Sequence, residues 1–404
     1  MKKHGSGVIV ALMPLFAVSF VSHIAPYIYI PSLPDIAASF EIDTSRTGGL
    51  MSAYYLTLSL TLLVAGVVGD RLDKRKMLCV ATCVIFAGAF LSSLPFRFGF
   101  TLVGWGLQGA GAATITIIGQ TWIGQASDKN NVTSLYSYMS IALSFAPLIA
   151  PVLGGLIAEI FSWECNFYIV GILCLLSAIP VYRSTLPAPL QKNVASVRHV
   201  FSDYVKLLFR SKLIAINGTS LVCFLFQGML MAYSSFLFID QLGLTPASFG
   251  LISVPVVVGS IIGQFPVMYL EKRYGLTSAF IFNSVIAVVA LSASLVFYAV
   301  TGTHTVTELA IVIFLFSIGF GGHTLLATRN TMTEFSFARS YSSALMNFLD
   351  QFAGYIAAVS VQVMFAFISS AMMAHNFACG AAIILIIFTS VIYVRLVKSN
   401  ERSL

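Results

Sequence analysis

Apolar runs of about twenty residues recur along this chain, and their number and spacing constrain the fold more than any other feature. They fall at approximately 8–30, 47–69, 77–95, 99–122, 132–158 and 165–182, then again at approximately 213–239, 246–270, 277–300, 308–328, 341–369 and 373–395. A helix needs about 20 mostly apolar residues to cross a bilayer. The expectation is therefore an all-α integral membrane fold of twelve transmembrane helices in two six-helix bundles. Charged residues make up 9% of the chain, against roughly 25% in soluble domains. That is too little charge to cover a water-facing surface.

The basic residues test this partition. With both termini placed in the cytoplasm, every Lys and Arg except Arg46 and Arg97 falls in an inside segment. Adding or dropping one span would invert the alternation partway along and erase that bias. The net charge of +7 is then the mark of cytoplasmic loops facing anionic lipid, not of a nucleic-acid partner. The domains expected are an N-terminal bundle over 1–183, a polar cytoplasmic linker over 184–212 that begins near Pro187-Ala188-Pro189, and a C-terminal bundle over 213–404. Two joined halves match the transporter plan in which one central site faces each side alternately. The N-terminal run ends in Ile30-Pro31-Ser32-Leu33-Pro34 and not in a small-residue cleavage site, so it reads as a first span and not as a removed leader. The cysteines at 79, 83, 165, 174, 223 and 379 lie in or beside apolar runs without CxxC or metal-like spacing, so they read as buried thiols.

Two motifs in the first half carry chemistry. After span 2 the chain reads Gly66-x-x-Gly69-Asp70-Arg71-x-x-Lys74-Arg75-Lys76. Its glycines permit close helix approach, and an acid followed by a basic cluster sits at a helix end. A weaker echo, Tyr269-Leu270-Glu271-Lys272-Arg273, follows span 8. Span 5 contains Pro147, Pro151, Gly154 and Gly155, where proline removes helix hydrogen bonds and glycine admits a neighbour, so the segment should bend and pack tightly.

These motifs, with Tyr29-Ile30-Pro31 closing span 1, resemble the major facilitator superfamily, and within it the twelve-span drug:proton antiporters of Bcr/CflA type. The resemblance implies that Gly66, Gly69, Asp70, Arg71 and Arg75 form a gating motif. In it Asp70 would hold the cytoplasm-closed state against the N-terminal end of span 11, here Ser340-Tyr341-Ser342-Ser343. It implies an exporter role for the span 5 motif, and a central cavity lined by spans 1, 4, 7 and 10. The polar positions there are His23, Tyr27, Tyr29, Gln108, Gln120, Asn217 and Gln227. The chain also departs from the pattern. Asp73 stands where the family has Gly, Trp105 replaces the span 4 arginine, Tyr27 replaces the span 1 aspartate, and Glu164 follows Trp163 in place of Arg.

With those charges absent, proton coupling must lie elsewhere or be lacking. Nearly all acids fall in loops or at span ends; Asp350 in span 11 is the exception. An ionisable group in lipid costs about 2.5–3.5 kcal/mol and is a functional candidate for that reason. His323, within Gly319-Phe320-Gly321-Gly322-His323 of span 10, is the second candidate for coupling, and a relay between the two is conceivable because His titrates near neutrality. The sequence thus reads as a secondary transporter of a bacterial inner membrane, exporting a drug-like compound or small organic metabolite in exchange for protons. The alternative is a dedicated carrier of one solute, such as a siderophore, on an exporter-like scaffold. No nucleotide loop, metal motif or nucleophile elbow points to an enzyme or a cofactor, and a monomer is what the resemblance implies.

Overall fold

The computed structural model describes residues 3–68, 72–126, 145–183, 211–334, 339–368 and 370–401, with positions 139, 143, 202 and 206. The described secondary structure is helical. In chain order the helices are α1 Lys3–Ile28, α2 Leu33–Ser39, α3 Thr44–Val68, α4 Lys74–Ser92, α5 Phe98–Ala126, α6 Ala146–Ile160, α7 Trp163–Tyr182 and α8 Ser211–Ser235. They continue as α9 Pro246–Gly250, α10 Ser253–Ile262, α11 Gln264–Tyr274, α12 Leu276–Thr301, α13 Val306–Glu334, α14 Arg339–Phe367 and α15 Ala371–Glu401. Among the described residues, 11 helical segments are long and apolar enough to cross a membrane, and Ala146–Ile160 is a shorter apolar helix. The run expected at 132–158 is described from Ala146 on; residues 127–138 lie outside the described part.

The run expected as one span over 246–270 is one apolar segment long enough to cross a membrane, Pro246–Tyr274, and within it the helix is broken into three. The breaks fall at Leu251–Ile252 and at Gly263. They lie three to four residues before Pro255 and Pro266, where the missing proline N–H leaves a carbonyl of the preceding turn without its donor. Span 1 is also longer than expected. A tight turn at Ile30–Ser32 links α1 to α2, and the apolar segment runs from Leu12 to Ser39.

The chain forms two compact units. The first holds α1–α7 together with α9. Its core gathers Leu12, Leu15 and Val18 of α1, Leu78 and Ile85 of α4, Ile115, Ile118 and Trp122 of α5, and Cys174 and Val181 of α7. Small residues set the helix spacing: a Cβ added at Gly88 would lie 2.6 Å from the Gly104 carbonyl oxygen, and one at Gly111 2.9 Å from that of Ala81. With no hydrophobic gain from leaving lipid, such close backbone packing is what holds membrane helices together.

The second unit holds α8 and α10–α15. Glycines again govern the approach. A Cβ at Gly259 of α10 would lie 2.5 Å from the Phe314 carbonyl of α13, and one at Gly319 would lie 2.7 Å from that of Asn283 in α12. Phe280 and Tyr393 stack with centroids 3.8 Å apart, in a cluster with Val267, Ala279 and Leu326.

The loop between α3 and α4 explains one departure from the family pattern. Asp73 is the N-cap of α4, and its carboxylate accepts from the backbone N–H of Arg75 at 2.9 Å and of Lys76 at 3.2 Å. A glycine there has no side chain to do this. Asp73→Ala is expected to lower stability by about 1 kcal/mol, read as a lower unfolding temperature in detergent, with Asp73→Asn retaining most of it.

Candidate functional site

In the first unit the expected cavity residues separate into two kinds. Tyr29 and Gln108 are brought together: the Tyr29 hydroxyl donates to Gln108 Oε1 at 2.7 Å, and Gln108 Nε2 donates to Ser92 Oγ at 3.2 Å and to the Gly104 carbonyl at 3.3 Å. Both side chains are 1% exposed. Tyr29 stacks on Phe167 at 4.0 Å, and Trp105 closes the group at 5.3 Å from Tyr29. Trp105, where the family has arginine, thus fills an aromatic core and adds no charge, and its indole N–H has no partner among the described residues. His23 and Tyr27 are half-buried, with His23 Nδ1 2.9 Å from the Ser19 carbonyl and Tyr27 beside Tyr54 and Tyr55. Gln120 is also half-buried and has a polar partner.

Removing the Tyr29 hydroxyl leaves Gln108 Oε1 buried and without its donor. Tyr29→Phe should therefore cost about 1–3 kcal/mol while preserving the stack, and a thermal unfolding series of Tyr29→Phe and Tyr29→Leu would separate the two contributions.

The glycines of the span 5 motif are points of close backbone approach. Pro151, Gly154 and Gly155 are buried in α6, and Pro147 is half-buried. A Cβ at Gly154 would collide with the carbonyl of Ile28, and one at Gly155 with the carbonyl of Pro246. From the other side, a Cβ at Gly250 of α9 would lie 2.5 Å from the Pro151 carbonyl. Asn166 of α7 ties the joint, donating to Ser32 Oγ at 3.1 Å and to the Gly154 carbonyl at 3.0 Å. Of the expected gating motif, Gly69, Asp70 and Arg71 lie outside the described residues, Gly66 is helical in α3, and Arg75 is half-buried in the first turn of α4.

In the second unit, Asp350 lies in α14, partly exposed, with its Oδ1 atom shielded and without a hydrogen-bond partner among the described residues. His323 is 1% exposed and belongs to a different contact: its Nε2 is 3.1 Å from Ser284 Oγ, which accepts from Ser390 Oγ at 3.0 Å. Among the described residues no hydrogen bond joins His323 to Asp350. Asn217 pairs reciprocally with Thr331 across α8 and α13, Nδ2 to Oγ1 at 3.0 Å and Oγ1 to Oδ1 at 3.1 Å. Gln227 is buried with its Oε1 unpartnered. Arg329 pairs with Glu271, which fixes the basic turn after α11 to α13.

Sequence reasoning passed over one cluster. His304 and Glu308 pair at 3.0 Å, and Ser294, His375 and Tyr233 continue the hydrogen bonding from there. Glu308 counted as a span-end acid and His375 was hidden in an apolar run. The available signal was a His four residues ahead of an acid at an expected helix start, Thr305-x-x-Glu308 being a capping sequence.

A model of the Major Facilitator Superfamily matches residues 15–359. The chain belongs to the major facilitator superfamily. Its family and its apolar helices make it a multi-pass membrane protein. Among its relatives is the chloramphenicol resistance protein CraA of Acinetobacter baumannii, 23% identical over 65% of this chain and 64% of CraA. Multidrug resistance protein D of Escherichia coli is 23% identical over 87% of this chain and 88% of its own length. The multidrug transporter MdfA of Edwardsiella piscicida is 24% identical over 65% of each. The chain therefore spans somewhat less than two thirds of the length of CraA in that match. Solved structures of superfamily-like fold include a bacterial homologue of the lysosomal transporter Spinster, with a TM-score of 0.72, 14% identity and 97% of each chain covered. A peptide transporter of the POT type aligns with a TM-score of 0.75 and 14% identity over 95% of this chain and 94% of its own.

Proposed function

We propose that this transporter is a twelve-span, proton-coupled exporter of a drug-like compound or small organic metabolite in a bacterial inner membrane. Both termini lie in the cytoplasm and it works by alternating access. The observation that carries the coupling is Asp350: an acid within a membrane helix whose Oδ1 is shielded and has no hydrogen-bond partner among the described residues. A carboxylate kept in that setting is retained for exchange of its proton, since a purely structural acid would be satisfied by a neighbour. His323, bonded to Ser284, then acts apart from Asp350 and not as its relay partner. The export reading is supported by relatives named for drug resistance and by the close-packed Pro147–Gly155 segment.

A second reading is favoured by a specific observation. The span 4 arginine is replaced by Trp105, which sits in an aromatic core with Tyr29 and Phe167. A carrier without that charge fits a dedicated solute, such as a siderophore, moved on an exporter-like scaffold. The test is purified protein in sealed vesicles loaded with a pH-sensitive dye, given a proton gradient and then cationic drugs or iron-chelating metabolites. Drug-driven proton release supports exchange. Movement of one metabolite down its own gradient, without protons, overturns it in favour of the dedicated carrier.

A further inference from the structure

The second unit contains a continuous chain of polar side chains drawn from four helices. Tyr233 comes from α8, Ser294 from α12, Glu308 from the first turn of α13, and His375 and Asn376 from α15, while His304 lies in the connection just before α13. Tyr233 Oη is 2.8 Å from His375 Nδ1, His375 Nε2 is 3.1 Å from Ser294 Oγ, and Ser294 Oγ donates to Glu308 Oε1 at 2.8 Å. Glu308 Oε2 is 3.0 Å from His304 Nδ1, and His304 Nε2 is 2.9 Å from Asn376 Oδ1. Tyr233, Ser294 and His375 are each 0% exposed and His304 is 2% exposed.

Hydrogen-bond logic assigns the protons. An ionised carboxylate only accepts, so Ser294 donates its one hydrogen to Glu308 and must accept from His375 Nε2–H. His375 Nδ1 then accepts the Tyr233 hydroxyl. His304 differs: its two nitrogens face two acceptors, the Glu308 carboxylate and the Asn376 carbonyl oxygen, an arrangement that only the doubly protonated ring satisfies. Loss of that second proton, from Nε2 to solvent, leaves Nδ1–H on Glu308 and is accommodated if the Asn376 amide turns its NH₂ toward Nε2. The pair holds one such charge at a time, because His304 and His375 meet edge-to-face at 5.1 Å and a charge on one opposes a charge on the other. Among the described residues, the other titratable groups facing the cluster are Cys379, with Sγ 3.4 Å from His375 Nε2, and Tyr298, stacked on His304 at 5.0 Å.

Two further features separate this cluster from a static structural bond. Thr305 caps α13, accepting from the Glu308 N–H at 3.2 Å. In a reciprocal capping box the Glu308 carboxylate would return to the cap N–H; here it is diverted into the cluster. The cluster also reaches water, because Thr301, Gly302, Thr303 and Thr305 are exposed and the Glu308 side chain is 10% exposed.

We propose that His304, Glu308 and His375, joined through Ser294, form a binding site for one solvent-exchangeable proton, separate from Asp350. Proton occupancy of this site is measurable without transport. Only its use in moving solute rests on the exchange reading above.

The test is infrared difference spectroscopy of the full-length protein in nanodiscs, with isotope-labelled histidine, on stepping between about pH 8 and about pH 5, the range in which His titrates. The expected result is a histidine-ring and carboxyl signal that Glu308→Gln removes and Asp350→Asn leaves in place. Should Glu308→Gln fail to fold, Ser294→Ala breaks the link to His375 and is expected to move the midpoint by roughly one pH unit, a tenfold change in proton affinity. A wild-type histidine signal that is flat across the range, or one unchanged in both variants, overturns the proposal. If the signal is present while drug-driven proton release is absent in vesicles, the exchange reading fails and the proton site stands.

Discussion

Asp350→Asn is expected to eliminate gradient-driven accumulation in proteoliposomes while leaving downhill solute movement measurable. An amide at this position keeps the size of the side chain and cannot release a proton at any pH, so uphill transport loses its coupling and its rate becomes independent of pH. Asp350→Glu retains a titratable group and is expected to keep part of the activity. Since Oδ1 has no hydrogen-bond partner among the described residues, the Asn variant breaks no described bond at that atom and should unfold at a temperature close to wild type. The measurement is solute uptake against an imposed proton gradient over a series of pH values, with thermal unfolding of the same preparations. Full accumulation by Asp350→Asn with the wild-type pH profile would sink the coupling assignment.

Gly154→Val is expected to be the most disruptive single substitution in the first unit. The added Cβ collides with the main-chain carbonyl of Ile28, and backbone cannot step aside as a side chain does. Overpacking typically costs about 1–3 kcal/mol and occasionally more, and here it also disturbs the bond from Asn166 to the Gly154 carbonyl. Gly154→Ala should show a smaller loss of the same sign. The control is Gly380→Ala in α15, where nothing lies within 4 Å of the new carbon; replacing a helical glycine there should be neutral or stabilising by up to about 1 kcal/mol. Unfolding temperature and the monodisperse fraction in detergent measure all three. Equal behaviour of the Gly154→Ala and Gly380→Ala variants would remove close approach as the reason for the motif.

Several site features were legible in the residues alone because they are local. Pro147, Pro151, Gly154 and Gly155 announce a close-packed helix whatever the neighbour, since the absence of a Cβ and of an N–H are properties of the residues themselves. Asp350 stood out because an acid in an apolar run is costly anywhere in a membrane. The cluster around Glu308 was not legible in the same way. Its members come from positions 233, 294, 304, 308 and 375, and each alone looks like a span-end or helix-packing residue. Tyr29 and Gln108 were grouped as polar positions of two helices; only the structure shows them spending their polar groups on each other. Asp73 read as a departure from a motif, whereas its cap geometry gives it a local purpose.

What the sequence determined by itself follows from the solvent. Lipid offers no hydrogen bonds, so long apolar runs must be helices with their backbone groups paired internally. That requirement depends on composition and length, which are read directly from the chain. What only the tertiary structure decided is which side chains meet: where the glycines let carbonyls approach, why Pro255 and Pro266 divide one expected span into three helices, and that two histidines and a glutamate converge. Those contacts join residues separated by up to 142 positions, and no local preference encodes a meeting that depends on how several helices pack at once.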